Sequence, residues 1–220
     1  AQTGIYTSIN NGLTWSPTSL TNRIVRSICD NGSFIFAGTD SGVFRSSNNG
    51  VNWTRSLNDR YVSALLYLNN KLYAGTGHYQ SLDPTGLYLS SNNGTNWVQS
   101  SINDKVVTSL GTNNYNIYAG TPFGVYMSTN NGQNWNQTTL NNKEVYSILC
   151  IGENVFAGTS SGVYLSTNNG GIWLQINEGL TGISDVMALI TTNNYLFAAR
   201  WNSSVWKRPL SEIITNTKAI

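Results

Sequence analysis

Charge is scarce in this chain of 220 residues: 12 Lys and Arg stand against 10 Asp and Glu, for a net charge of +2 and a charged fraction of 10%. So small a balance argues against a nucleic-acid partner or a membrane surface held by bulk electrostatics. One histidine and two cysteines provide neither a Cys/His metal spacing nor a disulfide framework. No apolar run approaches the roughly 18 residues a membrane helix needs, so no membrane insertion is expected. Gly-rich phosphate loops and nucleophile motifs are also missing, and no cofactor or metal is expected. What is present is a hydrophobic content of 40%, an aromatic content of 11% and heavy use of Asn, enough for a sizeable core inside a neutral polar surface. A surface of that kind suits a secreted or cell-surface protein. The start Ala1-Gln2-Thr3 matches that expectation, with a signal peptide removed ahead of it.

The pattern Ser-x-Asn-x-Gly-x-x-Trp occurs five times, ending at Trp15, Trp53, Trp97, Trp135 and Trp173, with steps of 38, 44, 38 and 38 residues. A fixed period in this range marks an array of supersecondary units. Each letter suits the tip of a hairpin. Ser46 and Asn48 can hydrogen-bond nearby backbone, Gly50 supplies a positive φ, and Trp53 restarts the next strand with a large apolar surface. Asn-Asn-Gly between two alternating runs is a strong hairpin signal.

The pattern resembles the Asp-box, or BNR-repeat, β-propellers, a group that includes sialidases, xyloglucanase-like glycosidases, sortilin-type receptors and photosystem assembly factors. Their box carries Asp where this chain has Asn10, Asn48, Asn92, Asn130 and Asn168, which keeps the hydrogen bonds of the turn and removes its charge. The resemblance implies a structural turn and is nearly silent about function.

Around the box, the unit 142–174 reads as four short strands: Glu144 to Cys150, Asn154 to Gly158, Gly162 to Ser166 and Ile172 to Ile176. The landmark Ala-Gly-Thr closing the second strand recurs at Ala37, Ala74, Ala119 and Ala157 and decays to Ala198-Ala199-Arg200. The chain is therefore expected to be all-β, a β-propeller of four-stranded antiparallel blades. Complete blades run from Arg23 to Leu57, Arg60 to Ser101, Lys105 to Leu140 and Lys143 to Asn177. The ends are partial, Gly4 to Ser16 offering the last two strands of a blade and Ser184 to Leu210 the first two. Sharing one blade would remove exposed sheet edges and give five blades closed by both termini. Six is the alternative, because Val205-Trp206-Lys207-Arg208 reads as a spare strand. One domain over 1–210 is expected, followed by a polar tail or linker over 211–220. The join at Val205 to Glu212 resembles the link that precedes secretion-sorting domains in secreted bacterial proteins. Cys29 and Cys150 fall in different blades and are expected as free, mostly buried thiols.

Strand direction alternates within a blade, so box turns lie on one face and the loops that precede each blade lie on the other. The latter face carries a cation at one equivalent place in four blades, Arg23, Arg60, Lys105 and Lys143, with Arg26 close by. It also receives the only internal insertion, which holds His78, Tyr79 and Asp83, and the aromatics Phe123 and Trp201. Asp59, Asp104 and Glu144 stand beside three of the cations and are expected to offset them in salt bridges. Sialidase-like chemistry needs an arginine triad with a Tyr and Glu pair, and its preceding motif is absent. Other Asp-box glycosidases need two carboxylates across a cleft, with Asp40, Asp59, Asp83 and Asp104 as the candidates here. The leading expectation is a secreted, non-enzymatic module that offers this face to a glycan or an acidic protein segment. A reduced glycoside hydrolase and a structural or self-assembling spacer are the alternatives.

Overall fold

A computed structural model of the chain describes residues 3–78, 86–180, 182, 185–202 and 204–216. It divides into two compact units, residues 1–107 and 108–220. In the first, β1 (Gly4–Thr7) and β2 (Ser16–Thr21) form a two-stranded sheet. Two four-stranded antiparallel sheets follow. One contains β3 (Val25–Asp30), β4 (Ile35–Thr39), β5 (Gly42–Ser46) and β6 (Thr54–Asn58); the other contains β7 (Val62–Leu68), β8 (Lys71–Thr76), β9 (Leu87–Ser90) and β10 (Val98–Gln99).

The second unit has two further sheets of the same order. They are β11 (Ser109–Thr112), β12 (Ile117–Thr121), β13 (Gly124–Ser128) and β14 (Asn136–Gln137), then β15 (Val145–Ile151), β16 (Asn154–Thr159), β17 (Gly162–Ser166) and β18 (Leu174–Gln175). It ends in a three-stranded sheet, β19 (Val186–Thr191), β20 (Tyr195–Arg200) and β21 (Val205–Pro209), and a helix α1 (Leu210–Asn216). Each full sheet is a meander of consecutive strands, the blade of a β-propeller.

The box explains why every third strand turns where it does. In Ser46 to Trp53, Ser46 Oγ donates to Asn48 Oδ1 at 3.0 Å and accepts from Gly50 N at 2.9 Å, while Asn48 Oδ1 accepts from Asn52 N at 2.9 Å. The same bonds recur at Asn10, Asn92, Asn130 and Asn168. All of them use oxygen acceptors that Asn and Asp share, which is why Asn satisfies the turn. The residue after the box Asn is again Asn and takes a left-handed conformation, with φ of 53° at Asn49 and 57° at Asn169. Asn tolerates that region better than other residues bearing a Cβ.

The Thr of Ala-Gly-Thr locks the next turn. Thr39, Thr121 and Thr159 are fully buried, and each donates its hydroxyl to the carbonyl of the glycine opening the third strand at 2.9 Å. Thr76 does the same to Gly86 O at 2.7 Å, so the insertion between them leaves the lock intact. Apolar residues of neighbouring sheets close over one another. One cluster in the first unit joins Phe36 and Val43 to Val62 and Leu72, and one in the second joins Tyr118 and Val125 to Val145 and Val155. Each such side chain stabilises the fold by about 1.5–3 kcal/mol through burial.

Two of the box tryptophans staple consecutive sheets, whereas Trp15, Trp53 and Trp135 donate to the glycine carbonyl of their own box. Trp97 Nε1 donates to Ser56 Oγ at 3.1 Å, and Trp173 Nε1 donates to Thr138 Oγ1 at 3.2 Å. Asparagines add to the staple, Asn31 Nδ2 donating to Asn93 Oδ1 at 2.8 Å and Asn113 Nδ2 to Asn169 Oδ1 at 2.7 Å.

The termini depart from expectation. Instead of sharing one sheet, β1–β2 and β19–β21 stand as separate partial sheets, because the place beside β20 is held by β21, with Ala199 opposite Val205 and Tyr195 opposite Pro209. The spare strand expected at Val205 is thus the third strand of its own sheet. Residues 211–216 of the segment expected as a polar tail or linker lie in α1, and 217–220 lie outside the described residues. Leu210 and Ile213 are three residues apart on one helical face, and Ile213 is buried among Phe156, Val163 and Leu196. Arg208 pairs with Glu178 at 2.6 Å and Glu212 at 3.6 Å beside it. Cys29 and Cys150 are free and partly buried, and burial raises both thiols to about 12.

Candidate functional site

The face opposite the boxes is built from the links that enter each sheet and from the start of its innermost strand. In the first unit, Asn58 to Tyr61 carries the chain from β6 to β7, with Asp59 at φ 51°. This bend turns Arg60 back over its own sheet. Arg60 Nε donates to Tyr88 Oη at 3.2 Å, and its guanidinium lies 5.8 Å from the centroid of that ring, while Nη1 donates to Asp59 O at 3.1 Å.

Next to it stands a second arginine on an aromatic. Arg26, exposed on β3, has its guanidinium 5.5 Å from the Tyr61 ring centroid. Tyr61 in turn meets His78 edge to face, centroids 4.5 Å apart and planes at 75°. His78 is positioned by the end of β8, where Gly77 N donates to Tyr61 O at 3.0 Å and Ser63 Oγ donates to Gly77 O at 3.1 Å. Arg26, Tyr61 and His78 therefore form a column across two sheets. Cation–aromatic contacts of this geometry contribute about 0.5–2 kcal/mol and fix the guanidinium plane; Arg60 already uses Nε and Nη1 in hydrogen bonds within its own sheet and its link.

The expected carboxylate neutralisation is only partly seen. Asp59 pairs with Arg55 at 3.6 Å rather than with Arg60. Among the described residues, neither Arg26 nor Arg60 has a carboxylate within ion-pair distance. Lys105 does follow expectation and pairs with Asp104, whose carboxyl is held below its usual range chiefly by that hydrogen bond. Arg23 donates to Asn22 O at 3.4 Å and is held locally. Tyr79 and Asp83 lie outside the described residues.

In the second unit the place of Tyr61 is taken by acidic residues, Glu144 before β15 and Asp185 before β19. Glu144, expected beside Lys143, accepts instead from Tyr146 Oη at 2.6 Å, and Asp185 Oδ2 lies 3.5 Å from the same hydroxyl. Burial first, then the two carboxylates, raise the Tyr146 phenol well above its ordinary value, so it stays a protonated donor. Lys143 is half-buried. Phe123 and Trp201 are exposed, the first with its carbonyl held by Gln137 Nε2 at 2.8 Å, the second with its amide on Asp185 O at 2.9 Å.

Of the residues expected from the sequence, the structure thus places Arg60 and His78 in two of the four arginine–aromatic groups of the first unit, whose others are Arg45 on Phe34 and Arg55 on Phe44. It assigns Lys105 to an ion pair and leaves Lys143, Phe123 and Trp201 in the second unit. The aromatic partners Tyr61 and Tyr88 escaped sequence reasoning, although Tyr61 follows the flagged Arg60 directly.

No family model matches the chain, and no curated relative matches its sequence. Solved structures do. An ancestral GH74 enzyme superposes with a TM-score of 0.73 at 20% identity over 94% of this chain, which spans 35% of that protein's length. YCF48 from Cyanidioschyzon merolae gives a TM-score of 0.71 at 10% identity, covering 95% of this chain and 77% of its own. YCF48 bound to D1 peptide gives 0.70 at 13%, covering 93% and 70%, and the extracellular domain of BT4673 from B. thetaiotaomicron gives 0.66 at 16%, covering 89% and 28%. At such identities the likeness shows the fold, an all-β propeller of five to six blades.

Proposed function

We propose that this chain is a non-enzymatic, extracellular binding module that holds an acidic segment of a protein partner on the loop face of its first unit. The observation that carries this reading is the pair of arginines, Arg26 on Tyr61 and Arg60 on Tyr88, oriented by aromatic rings with no carboxylate partner among the described residues. Guanidinium groups held in that way present preorganised forks to carboxylates, and the ordering entropy is already spent before binding. A similar propeller, YCF48, is bound to a peptide, which favours a peptide ligand over a sugar. Of the four carboxylates considered for hydrolysis, two are engaged in ion pairs, Asp59 with Arg55 and Asp104 with Lys105.

The test is fluorescence anisotropy with a labelled Glu-rich peptide, its Gln-substituted twin and a uronic-acid oligosaccharide. The Glu peptide is expected to bind, and the double variant Arg26→Ala, Arg60→Ala to weaken it by about tenfold and flatten its salt dependence. Affinity that is unchanged in the variant removes both arginines from the account. Preference for the oligosaccharide overturns the peptide reading.

A further inference from the structure

Asparagine is followed by glycine six times in this chain, at Asn11, Asn31, Asn49, Asn93, Asn131 and Asn169. Such a step carries a reaction of its own. The glycine backbone nitrogen attacks the asparagine Cγ, ammonia leaves, and water opens the resulting succinimide to aspartate or isoaspartate. Whether a step reacts depends on what holds that nitrogen, what polarises the side-chain carbonyl and whether a base stands ready for the proton.

Five of the six steps lie in boxes, and the box closes them. The nitrogens of Gly12, Gly50, Gly94, Gly132 and Gly170 donate to Ser8, Ser46, Ser90, Ser128 and Ser166 Oγ at 2.8 to 2.9 Å. Each of these hydroxyls gives its own proton to the box asparagine. A serine hydroxyl is no base at neutral pH, and Ser46, Ser90, Ser128 and Ser166 are buried.

The sixth step, Asn31-Gly32 in the turn from β3 to β4, has no serine. Gly32 N donates to Asp30 Oδ1 at 3.1 Å, so a carboxylate holds the nucleophile and can take its proton. Asn31 Oδ1 accepts from Ser33 N at 3.1 Å and from Phe34 N at 2.8 Å. Both donors stand where negative charge develops during attack on Cγ, and the ring closed by the first keeps Cγ beside Gly32 N. The leaving group, Nδ2, donates to Asn93 Oδ1 at 2.8 Å.

The equivalent turn from β11 to β12 shows what is special here. Asn113 Oδ1 accepts from Tyr115 N and Asn116 N at 3.3 and 2.8 Å, and its Nδ2 donates to Asn169 Oδ1 at 2.7 Å. The intervening residue is Asn114, and its nitrogen donates to the Thr112 hydroxyl at 2.9 Å. That turn has the polarised carbonyl without the glycine or the base.

We propose that Asn31 is a self-modification site. Gly32 N bonds to Asn31 Cγ as its proton passes to Asp30, the Cγ–Nδ2 bond breaks, Nδ2 leaves with that proton as ammonia, and water opens the succinimide to isoaspartate or aspartate. Either product lacks the Nδ2 donor to Asn93. The junction between the sheets β3–β6 and β7–β10 therefore loses this bond as the protein ages, while the boxes stay intact.

The test is peptide mapping of the intact chain after incubation at mildly alkaline pH, with isoaspartate counted by enzymatic methylation, beside the same chain unfolded in urea. In urea, where only local sequence counts, the six steps should react at comparable rates. In the folded chain Asn31 is expected to react at least about tenfold faster than Asn49, Asn93, Asn131 and Asn169. Asp30→Asn keeps an acceptor for Gly32 N and removes the base, so it should slow Asn31 by about tenfold without moving the urea midpoint. A folded-state rate at Asn31 no greater than that of the box steps overturns the proposal, and so does a rate indifferent to Asp30→Asn.

Discussion

The sheets β3–β6 and β15–β18 share a set of residues at equivalent places and differ in what lies against them. Val25 matches Val145, Ser27 matches Ser147, Ile28 matches Ile148, and Ala-Gly-Thr follows in both. On their far sides both serve alike as a base for the next sheet, Ser27 Oγ accepting from Leu65 N at 2.9 Å and Ser147 Oγ from Leu189 N at 3.1 Å. On their near sides one is covered by a hairpin, β11–β12, and the other opens on a cavity. Burial in a repeat array is thus a property of the junction, since each unit buries its apolar face only against a neighbour.

The strongest way to break this comparison is to place one charge at both isoleucines. Ile148→Asp buries an unpaired carboxylate and should cost about 4 kcal/mol or abolish folding, whereas Ile28→Asp at a half-exposed site should cost about 0.5 kcal/mol or less. Urea midpoints of the two variants decide it, and equal losses would mean the β3 face is closed in solution. A smaller contrast separates the boxes. Asn168→Ala removes the acceptor for Ile172 N and Ser166 Oγ and should cost about 1–2 kcal/mol. Asn10→Ala removes the same bonds from a two-stranded sheet whose Trp15 is 62% exposed, so the loss should stay local and under about 0.5 kcal/mol in global unfolding.

The smallest contrast expected is between the thiols. Burial raises Cys29 and Cys150 alike to about 12, so the thiolate is a fraction on the order of 10⁻⁴ at about pH 8 and both should react slowly with a disulfide reagent at similar rates. A Cys29 that reacts much faster than Cys150 would show that the sheet with the uncovered face opens more readily than its counterpart.

Strands were legible from the sequence wherever a box and an Ala-Gly-Thr lay close together, as at Gly162–Ser166, whose bounds match expectation. Fourth strands came out shorter than expected, Leu174–Gln175 in place of 172–176, because the box turn occupies the residues before them. The closing sheet was left open between five and six blades, since the choice between β21 and another strand beside β20 is made by backbone ladders that side-chain pattern alone does not rank. At the candidate site, Arg60 and His78 were found from their loop positions. Arg26 was found only as a neighbour of the ring of cations, and the aromatic partners were missed, because Arg26 and Tyr61 are 35 residues apart and meet only when two sheets stack.

The sequence by itself determined the repeat, the turn chemistry of the box, the four-stranded unit and the neutral polar surface, because each rests on hydrogen bonds and backbone angles within a few residues. Tertiary structure alone decided which arginines rest on aromatic rings, that Glu144 turns to Tyr146 rather than to its neighbour Lys143, that Ile213 enters a core, and that one of two matching isoleucines is left uncovered. Those outcomes depend on which sheet packs on which, and a local repeat is the same whether or not its neighbour is there.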